Sequence, residues 1–357
     1  MSDPTRLDAE ERDELIRYAL ERGATAAEVD ASTNLGELAL DLHLRPRTAM
    51  TFRDVAEEVG IDWVRAERLL TASGLPVDPD ARVTAGEAAT LRLLTTVGRD
   101  VLGDEATVQL ARVAGSATAR VAEAIVSAFR LQFELPRRAA GTPYVDVVKE
   151  YATIAETLLP AFVETLDVLL RRQIVGVAER MWTTDDERST VTLPRTIGFA
   201  DLVGYTAAAS SMSLRELAGV LVEFDERTAD VVRRGGGQVV KTIGDEVMFL
   251  TEDPGDACAI ALELVERFGH DGLPPVRAGL AAGDVVSVFG DVYGPEVNRA
   301  ARLVRIAEPS TVVVSAAVRA GCGAHFTFRE LAPVTLKGFA DPEAAYVVAA
   351  SRPDGAA

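Results

Sequence analysis

The chain has 357 residues, of which 48% are hydrophobic, and 55 Asp and Glu against 37 Lys and Arg give it a formal net charge of −18. That is enough apolar material for two domains with their own cores. The acidic balance excludes a protein held to nucleic acid by phosphate contacts, which needs clustered Lys and Arg, but not a nucleotide enzyme whose metal ions supply positive charge locally.

The N-terminal "MSDPTRLDAEERDEL" is acidic and polar, unlike a signal peptide. "DAEERDELIRYALERG" reads as a helix with acids in its first turns and Gly23 at its end. "TFRDVAEEVGIDWVRAERLLTASGL" reads as two short helices around Gly60. "TAGEAATLRLLTTVGRDVLG" and "DEATVQLARVAGSATARVAEAIVSAFRLQFEL" follow, with apolar residues at three-to-four spacing. Almost no alternating β-branched stretch intervenes, so the first half reads as helix throughout. A long helix covers roughly 145 to 182. Its apolar part, 158 to 182, is interrupted by Pro160, Glu164, Asp167, Arg171 and Arg172, so no membrane span is expected and the protein reads as soluble and cytoplasmic.

The polar stretch after it is read as a linker, 183–191. It separates an all-α domain, 1–182, from an α+β domain, 192–350, with 351–357 as a flexible tail. In the second domain "VTLPRTIGFADL" is strand-like, and "SLRELAGVLVEFDERTADVVRRGGG" is a helix with Ser213 as N-cap and glycines as its stop. "GQVVKTI" and "EVMFLT" form a hairpin around a Gly-Asp turn. "DPGDACAIALELVERFG" is a helix, "VRAGLAAGDVVSVFG" a strand or hairpin, "PEVNRAARLVRIA" a helix, and "STVVVS" and "FTFREL" are strands. This order suggests an α+β sandwich with a helix-covered sheet. Cys258 and Cys322, without CxxC spacing, read as two half-buried free thiols, and His43, His270 and His325 are too scattered for a metal motif.

Two carboxylates carry the first candidate site. Asp201 follows the apolar "TIGFA", and Asp245 sits in the hairpin turn. If that strand lies beside the hairpin, both emerge at one edge as hard oxygen ligands for Mg²⁺, with the Leu202 carbonyl available for a second metal. Gly204 and Gly244 would let phosphates approach the backbone. Each Asp also fits an ordinary loop or turn. In "GDVYGPEVNRAARL", Asn298 and Arg302 are four apart and share one face of a helix, on its buried-looking, Ala-rich side. They suit a ribose and a developing phosphate charge, or equally a solvated helix face. Asp291 could accept from a base amine or be a turn residue. Lys241 could reach a purine ring or point to water.

"FADLVGYT", "KTIGDEVMF" and "GDVYGPEVNRAARL", in that order, with "LKGF" and "AAYVVAA" near the end, resemble the class III nucleotidyl cyclase catalytic domain over roughly 192 to 350. The resemblance implies a ferredoxin-like α+β fold, a head-to-tail homodimer with active sites across the interface, ATP as substrate, and two Mg²⁺ or Mn²⁺ ions per site. It matches Asp201 and Asp245 to the metal aspartates, Lys241 and Asp291 to the adenine-selecting pair, Asn298 to the ribose-orienting residue and Arg302 to the residue that stabilises the transition state. Lys337 matches a triphosphate-binding lysine. Guanylyl cyclases of this family typically carry other residues, Glu and Cys or similar, at the two base-selecting positions.

The helical half resembles the autoinhibitory regulatory half of actinobacterial cyclases, with a proton or a lipid as the expected input and "YATIAETLLPAFVETLDVLLRRQIVGVAERMW" as connector. Three rival readings stand beside this one. A guanylyl cyclase would use the same motifs. A helix-turn-helix regulator would read DNA with "DWVRAERLL", but residues 51 to 74 hold five acids against three arginines. A diguanylate cyclase lacks any place for "VNRAAR".

Overall fold

The computed structural model describes residues 9–181, 192–270, 272–288 and 290–350. The expected linker 183–191 and tail 351–357 lie outside them. Contacts divide the chain into two compact units, Met1–Thr184 and Asp185–Ala357.

The first unit holds α1 (Ala9–Glu21), α2 (Ala26–Ala31), α3 (Leu35–Leu44), β1 (Arg47–Thr51), α4 (Phe52–Val59), α5 (Trp63–Ser73), β2 (Arg82–Thr84), α6 (Ala85–Val97), α7 (Asp104–Phe129), α8 (Leu135–Ala139) and α9 (Tyr144–Met181). Local chemistry sets many of the boundaries. Thr25, Thr51 and Thr84 each open a helix with a capping box closed by Glu28, Asp54 and Glu87. Gly60 and Gly74 end α4 and α5 in the left-handed conformation. Two cores result. One gathers Phe52, Val55, Leu69, Leu70, Val83 and Leu91; the other gathers Leu15, Tyr18, Leu35, Val145 and Val148.

One expectation is corrected here. The first half is not helix throughout: β1 and β2 pair antiparallel, Arg47 opposite Thr84 and Thr51 opposite Arg82. These strands are too short to show a period of two, and only Val83 is fully buried. The long helix expected over roughly 145 to 182 is α9, Tyr144–Met181, whose 38 residues include Pro160. Among the described residues no helix is long and apolar enough to cross a membrane.

The second unit holds β3 (Thr192–Leu202), α10 (Tyr205–Ala209), α11 (Leu214–Arg234), β4 (Gln238–Ile243), β5 (Glu246–Thr251), α12 (Pro254–Arg267), β6 (Val276–Val288), β7 (Asp291–Tyr293), α13 (Pro295–Ile306), β8 (Val312–Ser315), α14 (Ala316–Gly321), β9 (Phe326–Glu330) and β10 (Ala345–Ala350). One sheet runs β4-β5-β3-β6-β8-β10-β9, with β7 added on β6. All pairings are antiparallel except β6 with β8. "VRAGLAAGDVVSVFG" therefore gives one long strand whose last residues pair with β7.

Alternation along the strands separates two faces. Ala200, Leu202, Val247, Phe249, Ala278 and Leu280 face a core shared with α11, α12 and α14. Ile197, Phe199, Met248, Ala281 and Val313 face the opposite core, shared with α13. Helices thus cover both faces. The seat of α13 depends on Gly279: a Cβ there would lie 2.1 Å from the Val304 nitrogen and 2.7 Å from the Ala300 carbonyl oxygen. Only glycine lets the helix backbone rest directly on β6.

Candidate functional site

Asp201, next to last in β3, stands opposite Glu246, the first residue of β5. Asp245 precedes Glu246 in the turn, and the Leu202 N–H donates to the Asp245 carbonyl at 3.0 Å. Asp201, Leu202 and Asp245 are thus gathered at one strand end. The turn requires Gly244 at φ 63°. A Cβ there would meet nothing within 4 Å, so backbone conformation alone selects the glycine.

A cation balances this carboxylate pair. Arg277, opposite Asp201 across β6, donates from Nε and Nη2 to Asp201 Oδ2 at 2.9 and 2.6 Å. Burial pushes the Asp245 carboxyl above its ordinary range, and the negative charge of Asp201 adds to the rise; a backbone N–H and Arg277 offset part of it. Glu246 is raised as well, first by burial and then by Asp201. Carboxylates held together against their repulsion, beside a backbone carbonyl, are the hard donor set that Mg²⁺ or Mn²⁺ takes. Among the described residues no group of three or more His, Cys, Asp and Glu side chains forms a complete metal cage. A cation here would need further ligands from water or substrate.

Lys241 of β4 and Asp291, at the start of β7, are 50 residues apart in sequence and form one ion pair. Nζ lies 2.8 Å from Oδ1 and 2.7 Å from Oδ2. Burial alone would raise the Asp291 carboxyl; the Lys241 ammonium and the Val292 N–H outweigh it and hold the group below its ordinary value. Both side chains keep about a third of their surface in solvent, 40% and 30%. The pair presents a donor beside an acceptor. Among the described residues no hydrogen bond or ion pair joins it to Asp201 or Asp245.

Asn298 and Arg302 share a face of α13, but not the buried one. Ala300, Leu303 and Val304 pack on the sheet, and at about 100° per residue the first pair lies opposite them. Asn298 is exposed and Arg302 half-buried. Small Ala residues near them suggested burial; the core is carried instead by Leu303 and Val304, seated over Gly279. The Arg302 Nε is buried without a hydrogen-bond partner. Lys337 stands exposed in the turn before Gly338, at φ 98°. Among the described residues no hydrogen bond or ion pair ties it to the other candidates.

Two arginines escaped the sequence reading. Arg277 could have been found by aligning β6 antiparallel to β3, which sets its position against Asp201. Arg299 hides between Asn298 and Arg302. It donates to Glu343 at 2.6 and 3.0 Å and to Glu296, and its guanidinium lies 4.8 Å from the Phe339 ring centroid. The Glu343 contact, ahead of the other causes, raises its pKa. Arg299 thus ties α13 to the segment carrying Lys337 and leading to β10. Nothing local in the sequence predicts a partner 44 residues away.

In the first unit the arginines of the helix-turn-helix-like segment are engaged: Arg53 with Asp80, Arg65 with Asp104 and Arg68 with Glu105. The segment presents no free basic face for a DNA groove.

The profile of the Adenylate cyclase regulatory domain matches residues 6–175, and that of the Adenylate and Guanylate cyclase catalytic domain matches 190–350. An adenylate cyclase of Streptomyces coelicolor is 36% identical over 73% of this chain and 68% of its own length. A pH-sensitive adenylate cyclase of Mycobacterium tuberculosis is 30% identical over 88% of this chain and 80% of its own. Among solved structures, the adenylyl cyclase CyaB of P. aeruginosa, at 21% identity, covers 46% of this chain and 99% of that chain with a TM-score of 0.40.

Proposed function

The chain belongs to the class III adenylate cyclases that join a helical regulatory domain to the cyclase catalytic domain, and on that premise we propose that it converts ATP to 3′,5′-cyclic AMP and pyrophosphate. The observation that carries the reading is the convergence of Asp201 and Asp245 on one strand end. These carboxylates and the Leu202 carbonyl would hold Mg²⁺ or Mn²⁺, two ions per site. When bound, the ions supply an acidified ribose 3′-hydroxyl and charge neutralisation of the triphosphate.

The side chains of this chain do the rest. Adenine offers a 6-amino donor beside the N1 acceptor, which Asp291 and Lys241 complement; guanine offers the reverse order on the same edge. The 2.7 Å Lys241–Asp291 contact holds a donor beside an acceptor, as that edge needs. Asn298 orients the ribose. Arg302 meets charge that builds on the α-phosphoryl group, and its unpartnered Nε supports that role. Lys337 binds the triphosphate.

The site is completed in a homodimer, where Lys241, Asp291, Asn298 and Arg302 of one subunit meet Asp201 and Asp245 of the other. Two observations support this. No hydrogen bond or ion pair among the described residues joins the two groups within a chain. And α9 exposes Leu158, Phe162, Val163, Leu169, Leu170 and Ile174, an apolar surface suited to a second copy. We read the domains as 1–182 regulatory, 183–191 linker and 192–350 catalytic. The first restrains the catalytic halves and releases them on a proton or lipid signal, in the cytoplasm. The decisive experiment incubates the purified protein with ATP or GTP and Mg²⁺ or Mn²⁺ and identifies the product. Cyclic AMP from ATP is expected. Cyclic GMP as the main product would overturn the base assignment, and no cyclic product from either nucleotide would overturn the activity.

A further inference from the structure

The chain has two cysteines, and the fold places them together. Cys258, on α12, is fully buried in the core under the sheet; Cys322, just past α14, is half-exposed and packs against the same core. Their Sγ atoms lie 3.5 Å apart although 64 residues separate them. The two helix ends are fixed against one another: a Cβ at Gly321 would lie 2.7 Å from the Pro254 side chain at the start of α12. The thiols therefore meet because the backbone holds them there. Closing the gap to a bond of about 2.05 Å needs the two sulfurs to approach by about 1.5 Å.

We propose that Cys258 and Cys322 are a thiol pair that a small-molecule disulfide oxidises to an internal staple. The exposed Cys322 thiolate attacks one sulfur of the small disulfide and expels one thiol. The Cys258 thiolate then attacks the Cys322 sulfur of the mixed disulfide and expels the second thiol. The protein loses two hydrogens, and the small disulfide gains them as two thiols. The closed loop, 258–322, contains Arg277, Asp291, Asn298 and Arg302, so the staple would restrain the segment that carries much of the candidate site. Burial pushes both thiols above their ordinary value. Closure is accordingly slow near neutrality, faster in alkali, and specific to sustained oxidising conditions.

The test uses the full-length protein, equilibrated in a mixture of oxidised and reduced glutathione rich in the oxidised form. Exchange is quenched with acid, the protein is unfolded, free thiols are counted with a maleimide reagent, and the intact mass is recorded. Expected are the loss of both thiols, a monomer mass lower by two hydrogens, and a melting temperature higher by on the order of 5–10 °C, all reversed by dithiothreitol. Cys322→Ser should show no such rise. Two thiols still free at equilibrium, a stable glutathione adduct on Cys322, or a disulfide between chains would each overturn the proposal. The wild-type thiol count decides alone, so the result stands even where a variant folds poorly.

Discussion

Gly279→Ala tests how the sheet holds Asn298 and Arg302. The added methyl would sit 2.1 Å from the Val304 nitrogen and 2.7 Å from the Ala300 carbonyl oxygen. Both are helix backbone atoms, so no flexible side chain can swing away. Reaching even 3.0 Å from the Val304 nitrogen requires a shift of 3.0 − 2.1, about 0.9 Å. Overpacking of this kind costs about 1–3 kcal/mol, and contact with backbone places it at the upper end. In a domain of this size, ~3 kcal/mol lowers the melting temperature by about 6–12 °C. A displacement near 1 Å of a group that meets the transition state costs on the order of 10²-fold in rate. Calorimetry and nucleotide-cyclisation kinetics, run well below the variant's melting point, should therefore show a lower melting temperature and a reduced kcat with a smaller change in KM. Gly219→Ala, on α11 with nothing within 4 Å of its new Cβ, is the control. It should leave both quantities unchanged or raise stability by up to ~1 kcal/mol. Wild-type melting and turnover in Gly279→Ala would refute the view that α13 is seated through that contact.

Asp245→Asn removes a carboxyl that burial and Asp201 hold above its ordinary range. The charged form burdens the folded state, so the variant should melt higher than wild type in chelator at pH 7 while losing cyclic nucleotide formation; a lower melting temperature would contradict the electrostatics. Asp291 titrates below its unfolded value of 3.8. The pair with Lys241 thus adds stability above that value and loses it as pH falls through the lower folded one. The melting difference between wild type and Asp291→Asn should stay constant from pH 6 to 8 and shrink only below about pH 4; a difference that shrinks already between pH 5 and 7 would refute the pairing. Lys241→Glu removes the donor we propose for N1 and should cut the preference for ATP over GTP by at least ~10-fold, read as a ratio of kcat/KM. Mixing Asp201→Ala with Arg302→Ala subunits should restore partial activity, because one heterodimer site keeps both residues; no rescue beyond either variant alone would refute the shared site.

The sequence was informative wherever chemistry is local. The Gly-Asp turn announced the hairpin, and Ser213 marked the start of α11, where the structure adds Glu216 to close a capping box. "TIGFADL" read as a strand because its apolar run is bounded by turn residues. The remainder depended on register. Arg277 means nothing until β6 is laid antiparallel on β3 with Arg277 against Asp201. Lys241 and Asp291 look like a strand lysine and a turn aspartate until β4 and β7 bring them within 2.8 Å. Asn298 and Arg302 were assigned a shared face correctly but the wrong environment, since helical spacing says which residues align and not which side the sheet covers. That side was decided by Gly279, a residue of a different element.

An acidic chain that handles a polyphosphate must place its few cations carefully. At the candidate metal end the cation is Arg277: its Nε and Nη2 donate to Oδ2 of Asp201, and its Nη1 donates to the Arg305 carbonyl. That arrangement sets a positive charge on one carboxylate oxygen of Asp201 and offsets the repulsion between Asp201 and Asp245. Because Arg277 is also among the causes that hold Asp245 down, replacing it with an apolar residue would leave the two carboxylates repelling without compensation. The two carboxylates and Arg277 form one electrostatic unit, in which a single guanidinium offsets charge on both Asp201 and Asp245.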